Sequence, residues 1–345
     1  MNKIDLELLK ELTEMYGPTG EEDGVRAFIR KQIAPFVHRM WIDPMGNLVA
    51  TVGQSEILYA AHMDEVGFMI TGIEEDGALR FSQVGGVTPK TLPGKRVLIG
   101  KGAVPGVISA VPFHLQDDSK KEIGYGDLTI TIGAKSKKDA EKIVSPGDCA
   151  VFNTRFRTVG KNGRMLAGKA MDNRLGCYLL IEMIRSGTNG VYAFTVQEET
   201  GLRGAYAVAE EVPFRFGVAL DTTTPADVPG VTGPDRVCQV GKGGVLSFLD
   251  GASVYDNRLI SELFEAVETE EVPVQTKTRK SGGNDASALQ KAGSGHRSVS
   301  LSTPGRYIHG PCALVSTDDV YAMANALSVI HRFLTERAKA ERSAL

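Results

Sequence analysis

Histidine and carboxylate residues follow four apolar segments of this 345-residue chain, and each segment has the composition of a buried strand. Residues 57–61 lead directly into His62-Met63-Asp64. Further apolar runs lead to Glu198-Glu199, to Asp221 and, after a predicted turn at residues 303–305, to His309. Open α/β sheets place their chemistry outside the carboxyl ends of the strands. Four such ends therefore predict one cluster of metal-ligating side chains, as in a metallohydrolase.

Two residue pairs in these segments suggest a division of roles. An aspartate two residues after a histidine can accept the second ring N–H, which fixes the tautomer and the ring orientation. Asp64 is therefore the candidate partner of His62. The adjacent carboxylates Glu198 and Glu199 repel each other unless a cation or a proton offsets their charge. Adjacent side chains point in different directions, so one can bind a metal while the other acts as general base.

Two further aspartates have ordinary explanations when each is taken alone. Asp172 opens a predicted helix and could be its N-cap, and Asp221 could cap the turn that follows it. Charge counting favours a shared site, because Asp172, Glu199 and Asp221 with a bridging hydroxide balance two divalent cations. With His62 and His309 as terminal ligands and Asp172 as the bridge, each metal has three protein ligands and keeps room for substrate.

The remaining histidines are predicted to lie outside this site. His38 and His331 stand beside arginines at strand-edge or helical positions, and His296 lies in a glycine-rich loop. His114 follows Pro112-Phe113 in a β-rich stretch. A single histidine without a neighbouring ligand pattern is more often structural than functional.

The predicted elements form an α/β core that is interrupted by a β-rich insert. Helical spacing predicts helices over residues 5–16 and 19–33, and Thr19 with Glu22 is read as a capping box for the second. Between about 70 and 166, short β-rich runs alternate with Gly and Pro turns, which predicts a small barrel-like domain. Other predicted elements are strands at 39–42, 47–52 and 56–61 and helices at 136–143, 174–185 and 318–339.

Composition and charge favour a globular protein and argue against nucleic-acid-binding and membrane proteins. The chain is 42% hydrophobic and 23% charged, which is typical of a globular protein with a large core, and its length favours two domains. A net charge of −3 without a Lys/Arg block argues against nucleic acid or an anionic membrane as partner. No apolar run is long enough for a membrane span, and no signal peptide is predicted. Four scattered cysteines indicate reduced thiols, so a cytoplasmic location is expected.

Five segments, in this order, give the chain a resemblance to the tetrahedral aminopeptidases. They are residues 61–68, 168–174, 197–204, 220–222 and 306–309. This family is also called the glutamyl or deblocking aminopeptidase family, and members have been labelled endoglucanases. The resemblance covers nearly the whole chain. It implies a mixed-sheet, zinc-peptidase-like α/β/α core formed by residues 1–69 and 167–345, with residues 70–166 as an inserted β-barrel-like dimerisation domain.

The resemblance also implies a role for each site residue. His62 and Asp221 would hold one metal, Glu199 and His309 the other, and Asp172 would bridge them; Glu198 would be the general base and Asp64 would orient His62. Two positions depart from the family pattern, since Thr200 replaces an apolar β-branched residue and Asn284 replaces a threonine. The expected assembly is a homo-oligomer, either a dimer or a tetrahedral dodecamer.

The expected function is removal of N-terminal residues from short peptides by a dinuclear metal-dependent aminopeptidase. Zinc is the expected metal, with cobalt and manganese as alternatives, because carboxylate-rich ligation discriminates weakly among them. An N-deacylase or another amide hydrolase could use the same site. A glycosidase would need two carboxylates on either side of a sugar bond, which adjacent glutamates do not provide. A non-catalytic scaffold would predict a missing ligand or base, and none is missing.

Overall fold

A computed structural model describes residues 3–112 and 122–343; His114 lies outside them. The helices are α1 Leu6–Glu14, α2 Asp23–Ile33, α3 Lys137–Ala140, α4 Met171–Arg185, α5 Arg203–Glu211, α6 Asn257–Thr269, α7 Asp285–Lys291 and α8 Thr317–Ser343. The strands are β1 Arg39–Ile42, β2 Leu48–Val52, β3 Ile57–His62, β4 Gly67–Ile73, β5 Leu79–Val84, β6 Arg96–Ile99, β7 Val104–Ala110, β8 Leu128–Thr131, β9 Cys149–Phe152, β10 Arg157–Val159, β11 Met165–Gly168, β12 Gly190–Thr195, β13 Phe216–Thr223, β14 Gly244–Leu246, β15 Val274–Gln275, β16 Arg297–Arg306 and β17 Ala313–Ser316.

A large mixed sheet forms the centre of the core. Its strand order is β1-β2-β12-β3-β13-β16-β17-β11-β10, and β14 and β15 lie off this path. The four central neighbours β12, β3, β13 and β16 are mutually parallel. Parallel strands are covered on both faces, which explains their nearly continuous apolar sequences. These are the same four strands whose ends carry the predicted site residues.

Helices cover both faces of this sheet. Along β3, Ile57, Tyr59 and Ala61 pack into a core shared with α1, α2, α4, α6 and α8. The alternate residues Leu58 and Ala60 pack against apolar residues of α5 and α7 on the opposite face. This alternation follows from the two-residue period of a strand. The predicted α/β class with an α/β/α core is confirmed.

A closed barrel of six strands lies between β3 and the remainder of the core sheet in the sequence. Its order is β4-β5-β8-β7-β6-β9, and it has a separate apolar core. In that core the ring of Phe68 meets the rings of Phe81 and Phe152 edge to face, with centroids 5.1 and 5.4 Å apart. The predicted barrel is therefore confirmed. Strands β10 and β11, which follow it, pair within the large sheet.

Two local predictions were wrong. Residues 303–305 do not form a turn, because β16 continues through them and pairs with β13 and then with β17. Thr19 and Glu22 do not form a capping box, since no side chain caps the amino end of α2. In both cases tertiary contacts outweigh a local sequence preference.

Within residues 3–112 and 122–343, no helix combines the length and apolarity needed to cross a membrane.

Candidate metal centre and active site

The seven predicted site residues converge at the carboxyl ends of the four parallel strands. His62 is the last residue of β3, and Asp221 lies near the end of β13. Glu198 and Glu199 follow β12, and His309 follows β16. The two remaining residues, Asp64 and Asp172, lie just after β3 and at the start of α4. Neighbouring parallel strands end at the same edge of the sheet, so residues far apart in sequence become neighbours.

Asp172 lies between the two histidines. Its Oδ1 atom is 3.3 Å from His62 Nε2, and its Oδ2 atom is 3.2 Å from His309 Nε2. The capping hydrogen bond at this end of α4 is made by the next residue instead, since the Gly176 amide donates to Asn173 Oδ1 at 3.1 Å, so the ordinary N-cap explanation does not apply to Asp172. The next residue, Asn173, donates from Nδ2 to the Leu220 carbonyl at 2.7 Å, which ties this segment to the strand that carries Asp221. One carboxylate thus faces two imidazoles, as a bridging ligand would.

Three overlapping groups have potential ligand atoms that all lie within 4.8 Å of one another. They are His62-Asp172-Asp221, Asp172-Glu199-His309 and His62-Glu198-Glu199. The first two share Asp172 and match the predicted pair of cation positions. The third contains both glutamates. Geometry therefore places Glu198 close enough to be a ligand as well as a base.

Two buried carboxylate oxygens in the cluster have no hydrogen-bond partner. They are Glu199 Oε1 and Asp221 Oδ1. A buried anionic oxygen without a partner is costly, and nearly all buried polar atoms in proteins are satisfied. Carboxylate oxygens together with imidazole nitrogens are ligands for zinc, cobalt and manganese. The donor set and these two oxygens fit the binding of divalent cations.

Burial and the proximity of several carboxylates shift the pKa values of the clustered groups. Burial raises the pKa of Glu199 to about 8, and the Asp172 carboxylate adds to the shift. Burial likewise raises the pKa of Asp221 to about 6 and that of Glu198 well above its usual value. Burial alone would lower the pKa of His309, but the Asp172 and Glu199 carboxylates raise it to about 9. Crowded carboxylates retain protons, and their histidine neighbours remain charged, when no cation offsets the charge.

Asp64 has more partners than the sequence indicates. Its Oδ1 atom is 3.4 Å from His62 Nδ1, although that nitrogen is closer, at 3.1 Å, to the Asp64 carbonyl oxygen. The fully buried carboxylate also accepts from the Thr19 hydroxyl at 2.7 Å. The amides of Glu198 and Glu199 donate to it at 3.1 and 3.2 Å. Asp64 therefore connects His62 to the loop that carries the two glutamates.

A glycine of the turn after β5 supports His309. The ring donates from Nδ1 to the Gly86 carbonyl oxygen at 3.0 Å, which leaves Nε2 directed at the carboxylates. A Cβ atom on Gly86 would lie 3.2 Å from His309 Nδ1, and one on Gly85 would lie 3.2 Å from Glu199 Cβ. Sequence reasoning missed this contact. The only signal is the Gly-Gly pair itself, which allows the barrel to approach the site closely.

The cluster forms one wall of a cavity of about 430 Å³. Asp172, Glu198, Asp221 and His309 line it, together with Lys277 from the loop before α7. Two larger surface hollows, of about 870 and 570 Å³, lie near the amino ends of the core strands and contain none of the ligand groups. The cavity beside the cluster is therefore the candidate substrate site, with a volume suited to a small ligand.

The other described histidines have structural contacts and do not join the site. His296 stacks on Phe214 with ring centroids 4.1 Å apart. His38 Nδ1 accepts from an amide at 2.9 Å, and His331 Nδ1 is 2.9 Å from a tyrosine hydroxyl. Asp221, whose alternative was a turn cap, lies inside β13 instead.

Comparison with known proteins gives a consistent result. A family model described as M42 glutamyl aminopeptidase matches residues 46–326. The putative aminopeptidase FrvX of Escherichia coli K12 is 32% identical over 344 residues, which covers 96% of this chain and 95% of that protein.

Solved structures agree with this in their fold. A TET aminopeptidase from a marine sediment Thaumarchaeota archaeon superposes with a TM-score of 0.90 at 31% identity, covering 94% of this chain and 95% of the other. The TET1 peptidase of Pyrococcus horikoshii, described as assembling into a tetrahedron or a large octahedral shell, has a TM-score of 0.82 at 32% identity, with coverage of 94% and 98%. The chain thus belongs to the M42 glutamyl aminopeptidase family and is a hydrolase of the aminopeptidase class.

Proposed function

We propose that the protein is a dinuclear metal-dependent aminopeptidase that removes N-terminal residues from short peptides. The observation that supports this most strongly is Asp172, whose two oxygens face His62 and His309 at 3.3 and 3.2 Å beside the cavity. His62, Asp172 and Asp221 would hold one cation, and Asp172, Glu199 and His309 the other. Zinc is the metal we favour, with cobalt and manganese as alternatives.

In this proposal the acid–base chemistry belongs to Glu198. When bound, divalent ions supply Lewis acidity, which polarises a carbonyl group and makes a nearby water more acidic. Glu198 lines the cavity, and its Oε2 atom lies 3.9 Å from His62 Nε2. Its carboxylate accepts the proton of the attacking water and then donates it to the leaving amine. Burial raises the pKa of Glu198 above its usual value, which makes its carboxylate a stronger base than that of an exposed glutamate.

Selectivity for a free N-terminus follows from charge. Of the carboxylates that line the cavity, Asp172 and Asp221 would be offset by the cations, so Glu198 would give a terminal ammonium group a favourable field, which a neutral acetamide does not experience. An N-deacylase on the same site would favour the acylated peptide instead.

We expect stepwise loss of residues from a short peptide with a free amine and no loss from its N-acetylated twin. The measurement follows the products of both peptides by mass spectrometry with metal-loaded protein. A cellulose oligomer serves as the control for a glycosidase and is expected to remain intact. Equal cleavage of the two peptides, or cuts within them, would assign the site to an acylpeptidase or an endopeptidase.

We also propose that residues 70–166 mediate homo-oligomerisation, as a dimer or as a dodecamer built from dimers. Apolar side chains are exposed on this segment and directly before it. Met69 is 39% exposed, Val107 is 43% exposed and Ile143 is 53% exposed. Exposed apolar side chains can contribute to a protein interface. The P. horikoshii relative is described as assembling into a tetrahedron or a large octahedral shell. A closed assembly would admit only short or unfolded chains to the site.

Substituting Lys for Met69, Val107 and Ile143 together is expected to reduce the native mass to that of the monomer. Deleting the whole insert would be a poorer test, because it removes Gly86 from His309. The control places Lys at Phe36 and Ile42, which are each 44% exposed and belong to the α/β core and not to the insert. Light scattering compares the two proteins. A triple variant that keeps the wild-type mass while the fold is intact would refute the role of the insert.

Replacing Gly86 with alanine is expected to lower the metal content toward one ion per chain and kcat/KM by about ten-fold or more. The added Cβ would meet His309 Nδ1 at 3.2 Å, so the ring must shift. Gly102→Ala is the matched control, since its Cβ meets nothing within 4 Å in the same barrel. Neither glycine has a positive φ, so backbone strain is equal. Identical metal content in both variants would exclude a role for Gly86.

A cytoplasmic location completes the proposal. The four cysteines are free thiols, and three of them are buried. Unpaired thiols are usual for proteins in a reducing compartment.

A further inference from the structure

Four successive backbone amides in the loop between β12 and Glu199 are held by side chains of other elements. Val196 donates to Asn47 Oδ1 at 2.9 Å, and Gln197 donates to Glu22 Oε1 at 3.2 Å. The amides of Glu198 and Glu199 both donate to Asp64. No ladder or helix bond takes these four donors. The conformation of the loop is therefore imposed from outside.

The first support is itself fixed in place. Asn47 is fully buried, and its Nδ2 atom donates to Asp43 Oδ2 at 2.6 Å and to the Gly204 carbonyl at 2.9 Å. These two acceptors determine which way the amide group faces, so Oδ1 must point at Val196. A Cβ on Gly204 would lie 2.3 Å from Asn47 Oδ1, so glycine is required for this close approach.

Glu22 supports the one strained position in the loop. Gln197 has φ +56°, a left-handed conformation that a residue with a side chain adopts only when its surroundings impose it. Glu22 is 4% exposed, and its Oε1 atom accepts from the amides of Gly20 and Gln197 at 2.8 and 3.2 Å. Its carboxylate therefore holds the chain at the point where it turns into Glu198.

This turn separates the two glutamates. Glu198 Oε2 lies 3.9 Å from His62 Nε2, whereas Glu199 Oε2 lies 3.5 Å from His309 Nε2. One oxygen of each side chain thus lies near a different histidine. Glu198 directly follows Gln197 in the chain, so a relaxed conformation at Gln197 is expected to shift Glu198 more than Glu199.

We propose that Glu22 is a positioning residue for the hydrolytic reaction, which fixes the direction of the Glu198 carboxylate through the Gln197 amide. The inference rests on the proposed function, with Glu198 as the base. The hydrogen bonds of Glu22 go to backbone amides and not to a proposed metal ligand, and the Glu199 amide has its own tie to Asp64, so we expect the cation ligands to stay in place when Glu22 is replaced. Reaction rate, and not metal content or substrate binding, is the quantity that depends on it.

The test compares Glu22→Met with Glu22→Gln, two side chains of similar length. Only glutamine retains an oxygen that accepts from the Gln197 amide. We expect Glu22→Met to lower kcat by at least about ten-fold, with KM within about two-fold and the metal count unchanged, because small misplacements of a reacting group are costly. Glu22→Gln is expected to retain most of the activity. Asp23→Ala is the control, since this exposed neighbour pairs with Arg26 at the surface.

Further outcomes separate the possible failures. If Glu22→Met does not fold, Glu22→Asp replaces it, because its shorter carboxylate does not reach the amide. Equal kcat in the Met, Gln and wild-type proteins, or a parallel loss of metal and activity in both variants, would overturn the role of Glu22. Inactive wild-type protein, or an active Glu198→Gln variant, would instead refute the proposed function.

Discussion

Replacing Glu198 with glutamine is expected to lower the rate of peptide hydrolysis by about 10²–10⁴-fold, while two metal ions remain bound per chain. Glutamine preserves the shape of the side chain but accepts no proton from water. The ligand groups built on His62-Asp172-Asp221 and Asp172-Glu199-His309 do not contain Glu198, so the cations keep their protein ligands. Kinetics and metal analysis on one sample measure both quantities.

Glu199→Gln is the matched comparison for this experiment. The two glutamates are adjacent and similarly buried in the site, but only Glu199 belongs to the group with His309. This variant is expected to lose metal together with activity. If Glu198→Gln also loses one metal, the group formed by His62, Glu198 and Glu199 is a binding site, and Glu198 is a ligand.

Removal of the metals is expected to lower the melting temperature, and the loss is expected to grow as the pH rises from about 5 to 9. Burial raises the folded-state pKa of Asp221 to about 6 and that of Glu199 to about 8, from ordinary values of 3.8 and 4.5. Above pH 3.8 and 4.5 these two carboxyl groups lose their protons in the unfolded chain, while in the folded chain they keep them until about pH 6 and 8. Rising pH therefore favours unfolding over this range. His309 contributes in the same direction, because its folded-state pKa is raised from 6.5 to about 9. Its protonation therefore stabilises the fold fully below pH 6.5, and this stabilisation is lost as the pH rises toward 9.

Bound cations would offset this charge, so the metal-loaded protein is expected to depend far less on pH over the same range. A ligand present at about 1,000 times its Kd adds about 4 kcal/mol per site. For a chain of this size, two such sites raise the melting temperature by on the order of 10 °C. Thermal unfolding of chelated and metal-loaded protein at pH 5.5, 7 and 8.5 tests this. A gap that stays constant or narrows toward high pH would contradict the cation site.

Sequence patterns predicted the strands that carry the site because apolar periodicity and the ends of buried strands are local signals. The run before His62 and the run before Asp221 are long, apolar and followed at once by a ligand-type residue. Leu58 and Tyr59 pack on opposite faces of the sheet, but the prediction required only that both be apolar. Parallel neighbours then bring the strand ends together, which is a general property of α/β sheets.

The supporting contacts were not predictable, because they join residues that have no relation in sequence. Thr19 and Glu22 match a capping box, yet the structure directs them to Asp64 and to the Gln197 amide. The Gly86 carbonyl reaches His309 from the turn after β5, and the two residues are 223 positions apart in the sequence. Residues 303–305 match a turn, yet pairing on both sides of β16 keeps them extended. Tertiary partners determine each of these conformations.

The most direct test of the dinuclear centre is titration of the metal-free protein with zinc while activity and bound metal are measured together. We expect activity toward a free-amine peptide to be absent without metal and to reach its plateau at two equivalents per chain. Asp172, which faces both His62 and His309, requires that both positions be filled for the complete site. Full activity at one equivalent, or activity in the metal-free protein, would contradict the dinuclear assignment.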